Sequence, residues 1–211
     1  MKTFLLFLLG SLSASAQLIS AGVKGGVPLT DFFETVSNPT ASFSSPTKRY
    51  IVGPSIEVNL PAGLGIEFDA LYRRMNFSST QNLVDSIRAA TTTANAWEFP
   101  LLLKYKAGHG PARPFVDGGL SFNHISGVTQ TVENIIFPGR RTTTSSSGAP
   151  ELKNNLSPGF VLGAGIDVHA LFLHLTPEIR YTRWGRENFN GLNGLLRSNQ
   201  NQAEFLLGVR F

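Results

Sequence analysis

The stretch N-Q-A-E-F-L-L-G-V-R-F, Asn201 to Phe211, decides how the chain is read. Alternate residues Ala203, Phe205, Leu207, Val209 and Phe211 are apolar, while Gln202, Glu204, Gly208 and Arg210 between them are polar or small. Leu206 alone breaks the alternation. A period of two over about ten residues describes a β-strand with one greasy and one wet face. It is also the length, about ten residues, at which a tilted strand crosses a bilayer.

Seven earlier segments repeat the pattern. Ile19 to Val27 sets Ala21 and Val23 against Ser20, Gly22 and Lys24, and Tyr50 to Leu60 sets Val52, Pro54, Ile56 and Val58 against Gly53, Ser55, Glu57 and Asn59. After a Pro61-Ala62-Gly63 turn, Leu64, Ile66, Phe68, Ala70 and Tyr72 oppose Gly65, Glu67, Asp69 and Arg73. From Ala96 to Lys106, Trp97, Phe99, Leu101, Leu103 and Tyr105 oppose Glu98, Pro100, Lys104 and Lys106. The segments Arg113 to His124, Gly159 to Val168 and Leu171 to Thr182 alternate in the same way. The connections after the second, fourth and sixth segments are short. Those after the first, third, fifth and seventh run through 28–49, 77–95, 125–157 and 185–200. Short turns on one side and long loops on the other predict an all-β, eight-stranded antiparallel transmembrane β-barrel, with short periplasmic turns and long extracellular loops.

Polarity separates this from a soluble eight-stranded barrel, which keeps apolar residues inside and charges in water. Here Glu, Asp, Lys and Arg share one face with Gly and Ser, as a narrow polar interior requires. Tyr72, Trp97, Phe122 and Tyr181 fall near one rim, and Tyr105 and Phe211 near the other, as two interfacial girdles.

Composition narrows the function classes. Cys 0 removes disulfides, thiolate metal sites and nucleophilic thiols. A net charge of +4 with scattered basic residues argues against nucleic acid. Lys2, the apolar run Phe4 to Leu9 and Ala14-Ser15-Ala16 predict a cleaved secretory signal over residues 1–16, leaving 17–211 as the barrel domain. No mature segment is a long enough apolar run for a membrane-spanning helix.

The terminal aromatic strand resembles the C-terminal signature of bacterial outer-membrane β-barrel proteins, where the assembly machinery reads that strand. G-V-K-G-G-V-P-L-T-D-F at 22–32, W-E-F-P-L-L-L-K-Y-K at 97–106, R-P-F-V-D-G-G-L-S-F at 113–122 and G-A-G-I-D-V at 163–168 extend the likeness. Together they resemble the small porin-like or OmpA-like transmembrane domains. The resemblance implies a Gram-negative outer-membrane location and Phe211 as assembly signal. It also implies outer-membrane lipid and the barrel assembly machinery as partners, and no shared catalytic motif. Nothing corresponds to the periplasmic peptidoglycan-binding domain of full OmpA-type proteins, so cell-wall anchoring is not implied.

Three constellations are candidates for chemistry. The first is a lumen charge network of Glu67, Asp69, Arg73, Glu98, Lys104, Glu178, Arg180 and Glu204. Counting residues from the turns pairs Glu67 with Lys104 and Arg73 with Glu98, and groups Glu178, Arg180 and Glu204. Mutual neutralisation is the expected role, because unpaired buried charges are costly; an ion or proton path is the alternative. The second is Asp167, His169 and His174 around one periplasmic turn. A metal centre there needs a third or fourth ligand that the sequence does not name, so no metal and no cofactor are expected.

The third is His124-Ile125-Ser126, whose side chains fall on the lipid-facing side. It resembles the H-x-S pair of outer-membrane lipid A deacylases, but the following asparagine is missing and the candidate acid is Glu133, in a loop. Apolar loop residues Phe32-Phe33, Ile135-Ile136-Phe137 and Phe189 either fold back on the rim or meet an extracellular ligand through the long loops. The resulting expectation is a non-enzymatic outer-membrane barrel with a structural or surface-interaction role. The alternatives are a small-solute porin and a lipid A-modifying hydrolase using His124 and Ser126.

Overall fold

A computed structural model describes residues 18–35, 41–45, 50–136, 138–170, 173–191 and 196–211. The expected signal, residues 1–16, lies outside these residues, as do Phe137 and Leu171. Eight strands form a closed antiparallel barrel. They are β1 (Ile19–Pro28), β2 (Ile51–Asn59), β3 in two segments (Leu64–Asp69 and Leu71–Asn82), β4 (Ser86–Lys106), β5 (Ala112–Ile136), β6 (Leu156–Ala170), β7 (Leu173–Trp184) and β8 (Asn201–Arg210). Each strand pairs with the next. Closure comes from β8 against β1, in register from Gly22↔Arg210 to Pro28↔Glu204. Reciprocal backbone bonds between Ala21 and Phe211, at 3.1 and 3.2 Å, extend that seam to the last residue.

The alternation of the sequence becomes the barrel's two faces. Val23, Val52, Ile56, Phe68, Leu103, Val116, Leu162, Ile179 and Phe205 are exposed outward, and Lys24, Glu57, Glu67, Lys104, Glu178 and Arg180 are buried inward. Leu206, the break in the terminal alternation, turns inward against Ile51 and Leu71. β3 is interrupted at Ala70. Its carbonyl presses on Gly53 of β2, where a Cβ would lie 1.8 Å from the oxygen, so only glycine fits.

Two of the four long connections are corrected. Residues 77–95 and much of 125–157, expected as loops, are strand. β3 and β4 continue to a tight turn near Leu83, and β5 runs on to Ile136 before returning as the strand Arg140–Ser147. The Thr- and Ser-rich composition that reads as loop is well suited to a pleated surface with water on one side. At about 3.3 Å per residue, the 25 residues of β5 extend about 80 Å, far beyond a bilayer. These continuations and the strand Ala41–Ser44 form an extracellular sheet standing on the barrel rim.

The sheet is polar outside and apolar inside. Ser44, Ser78, Thr91, Thr131 and Ser145 align across its strands as one row of hydroxyls. Its inner side carries Met75, Phe77, Ala94, Ala96 and Ile125. A bulge between Thr93 and Asn95, opposite Gly127 at φ 58°, adds a residue to β5. The shift of phase turns Val128 inward as well as Ile125.

Candidate functional site: a charged lumen beneath an apolar cap

The inward charges occupy two levels of the barrel. In the lower, periplasmic half, Glu67 of β3 is the hub. It pairs with Lys24 of β1 and Lys104 of β4, accepts from Arg180 of β7 at 3.1 Å, and accepts from Arg210 of β8 at 2.9 Å. Arg180 also reaches Asp69 at 3.0 Å and Glu178 at 2.6 Å. Lys24 lies 3.2 Å from Asp69 and 3.0 Å from Glu178. The Arg180 contacts join β7 to β3 on the opposite wall, so these side chains fill the cross-section. Below them, Glu57 pairs with Lys106 and Arg210, and Asp167 accepts from Lys106 at 3.0 Å and Arg113 at 3.2 Å.

The upper level is smaller. Arg73 pairs with Glu98, and donates to Glu204 at 3.3 Å and to Gln202 at 2.7 Å. All eight lumen residues named from the sequence are buried on this inner face. Glu67 meets Lys104 and Arg73 meets Glu98, but Glu204 joins the Arg73 group and not Arg180, although Arg180↔Glu204 is a register pair. Arg180 turns down instead, where three carboxylates await it. Sequence reasoning left Lys24, Glu57, Lys106, Asp117, Asp167 and Arg210 out of the network. Their alternation marked the inner face, but neighbouring-strand levels do not reveal contacts that cross a lumen.

Above Arg73 the filling changes character. Phe32, Phe33, Phe77 and Phe189 interlock edge to face at centroid distances of 4.8–5.7 Å, and Leu196, Met75 and Ile125 complete the cluster. Phe32, Phe33 and Phe189 thus fold back onto the rim. A small sheet of Phe33–Thr35, Leu196–Ser198 and Asn190–Gly191 carries this lid. The Arg73 guanidinium stands 4.8 Å over the Phe32 ring, joining the charged layer to the apolar one.

The inversion coincides with the outer girdle. Tyr72, Trp97 and His124 are consecutive cross-strand partners, and Tyr72 donates to Asn95 at 2.8 Å. Below this row the outward face is Leu, Phe and Val; above it come Asn95, Thr93 and Thr91. His124 and Ser126 lie at that boundary, on the outward side. Glu133 is seven residues further along β5, about 23 Å at strand rise, where it pairs with Arg141 at 2.8 Å. It does not approach Ser126. At the periplasmic rim, His174 and Asp167 hydrogen-bond at 2.9 Å, and His169 stacks on His174. Among the described residues, no group of three or more His, Cys, Asp or Glu is arranged around a common metal position.

The model of an outer membrane protein beta-barrel domain matches residues 15–185, which include the first seven strands. The chain belongs to that family. Outer-membrane barrels are also its neighbours among solved structures. Neisserial surface protein A is 14% identical with a TM-score of 0.43, covering 91% of this chain and 95% of that one. The N-terminal barrel domain of Pseudomonas aeruginosa OprF is 14% identical with a TM-score of 0.35, covering 92% and 97%. The attachment invasion locus protein Ail of Yersinia pestis is 7% identical with a TM-score of 0.33, covering 91% and 98%. No curated protein matches the chain.

Proposed function

We propose that this outer-membrane barrel is a closed, non-catalytic scaffold that works outside the membrane, through the β-sheet it raises above the surface. The carrying observation is the strand Arg140–Ser147. Every one of its residues is exposed, and among the described residues it pairs with β5 on one side only. A strand edge of this kind offers a row of N–H and C=O groups to an extended segment of another protein. The Thr and Ser side chains suit β-pairing, and only Arg140 and Arg141 guard one end.

Supporting the closed lumen are the ion pairs spanning β3 to β7 and the phenylalanine lid above them. Planar-bilayer recording tests that part: wild type should give little or no single-channel conductance, and a steady large conductance would favour the small-solute porin. The surface role is tested on cells. Deleting residues 138–150 should abolish adhesion to surfaces or other cells while outer-membrane levels stay normal. Undiminished adhesion by that deletion would count against the sheet. Lipid A deacylated by wild type but not by Ser126→Ala would favour the hydrolase instead.

Phe211 is proposed as the residue read during assembly. Its backbone completes the β8–β1 seam and the residue is 72% exposed at the outer face. Deleting it should lower the amount of heat-modifiable barrel in the outer membrane several-fold, and Arg210→Ala should affect targeting less. Equal levels of wild type and the Phe211 deletion would remove the assembly role.

A further inference from the structure

At the periplasmic mouth the β6–β7 hairpin places two histidines directly opposite each other, as the register pair His169↔His174. Their rings stack with centroids 4.5 Å apart and planes 7° apart. The Nδ1 of His174 is 2.9 Å from Asp167 Oδ1, while Asp167 Oδ2 is held by Lys106 at 3.0 Å and Arg113 at 3.2 Å. Asp167 is therefore a fixed, buried carboxylate that orients one imidazole through its Nδ1 and directs its Nε2 away. This is the arrangement that supports metal-bound histidines. Among the described residues, no side-chain hydrogen bond engages His174 Nε2 or either ring nitrogen of His169. The hairpin itself is held in place by the His169 N–H, which donates to Pro111 in the β4–β5 turn at 2.6 Å.

We propose that His169 and His174 form an open, two-nitrogen binding site for an imidazole-seeking divalent transition ion of the zinc, nickel or copper kind, completed by water. Two imidazole ligands and no cage of carboxylates suit such ions and not calcium or magnesium, which take sets of oxygens. A tetrahedral ion with bonds of about 2.0–2.1 Å sets its two nitrogens about 3.3 Å apart. The rings are stacked nearly parallel at 4.5 Å, so their in-plane lone pairs do not converge in this state. Binding requires the ring of the exposed His169 to swing out of the stack until its nitrogen reaches that separation. The cations nearby do not stand against it, because they are already spent on carboxylates. Lys106 pairs with Glu57 and Asp167, Arg113 with Asp167, and Arg210, the strand partner of His174, with Glu57 and Glu67. The site faces the periplasmic side, so an ion enters without crossing the charged lumen.

Titration calorimetry on the whole barrel folded in detergent tests this, with zinc chloride and nickel chloride as probes and calcium chloride as control. One zinc or nickel ion should bind per barrel, and calcium should not. His169→Ala, at an exposed rim position, should weaken zinc at least about tenfold and leave the heat-modifiable band intact. Asp167→Asn should weaken it about 10–100-fold as a positioning change. If Asp167→Asn does not fold, His174→Gln provides the same comparison on the other ligand. Zinc affinity unchanged in His169→Ala, affinity that instead follows His109 in the adjacent turn, or no zinc binding at millimolar concentration would each overturn the proposal.

Discussion

The lower and upper halves of one barrel interior are filled in opposite ways. Below the Tyr72–Trp97 row the inside is charged and the outside apolar; above it the inside is phenylalanine and methionine and the outside threonine and serine. The same strands pass through both regimes. Along β4, inward Lys104 and Glu98 give way to Ala96 and Ala94, and outward Leu103 and Trp97 to Thr93 and Thr91. What changes between the halves is the solvent outside. In lipid the outer face must be apolar, so polarity is left for the lumen. In water an ordinary hydrophobic core becomes favourable again. The inside of this barrel is thus a record of what surrounds it.

Breaking the hub of the lower half should have the largest effect. Glu67→Gln removes a charge facing Lys24, Lys104, Arg180 and Arg210, and unmatched buried charge typically costs about 3–5 kcal/mol. The urea midpoint of the folded, heat-modifiable form should fall sharply. Glu67→Ala should lower it likewise, and adding Lys104→Ala to Glu67→Ala should recover part of the loss. Strictly additive single and double changes would show that the two are not coupled.

The upper half should break separately. Phe189→Ala opens the interlocked lid and costs about 3 kcal/mol in the cap. Extracellular loops should become protease-sensitive and exchange amide hydrogens faster, while the gel-shifted barrel survives. A barrel that melts together with its cap would show the two halves to be one cooperative unit.

The smallest effect concerns Glu187, on the rim of the lid. Burial pushes its carboxyl up, but hydrogen bonds from Arg197 and Asn190 and the Arg197 charge outweigh this and hold it below the ordinary glutamate value of 4.5. A carboxyl depressed in the folded state contributes above its unfolded value and loses that contribution as pH falls through the folded one. Protease sensitivity of the segment around Asn190 should therefore rise slightly from about pH 4.5 downward. Glu187→Gln should flatten that dependence.

The two halves were also unequally legible in sequence. A membrane strand advertises itself, because one face is Leu, Phe and Val and the other is charged. In T-T-T-A-N-A at 91–96 the contrast fades: Thr92 points in while Thr91 and Thr93 point out, and the inward Ala94 and Ala96 are too small to mark a face. The bulge at Gly127 then shifts the phase, so no single period fits β5 from end to end. Phe32, Phe33 and Phe189 lie far apart in the chain and meet only when the loops fold. In the lumen the inner face was readable residue by residue. Partners such as Arg73 with Glu204, or Lys24 with Glu178, depend on the diameter and stagger of the closed barrel.

Cross-lumen pairing also dictates an order of events. Lys24 belongs to the first strand and Glu178 to the seventh, while Arg73 waits for Glu204 on the last. Without the eighth strand Arg73 lacks Glu204 and Gln202, and Glu57 and Glu67 lack Arg210. Contacts this distant along the chain close late and slowly. The lumen network is therefore complete only when β8 pairs with β1 and brings Glu204 and Arg210 to their partners.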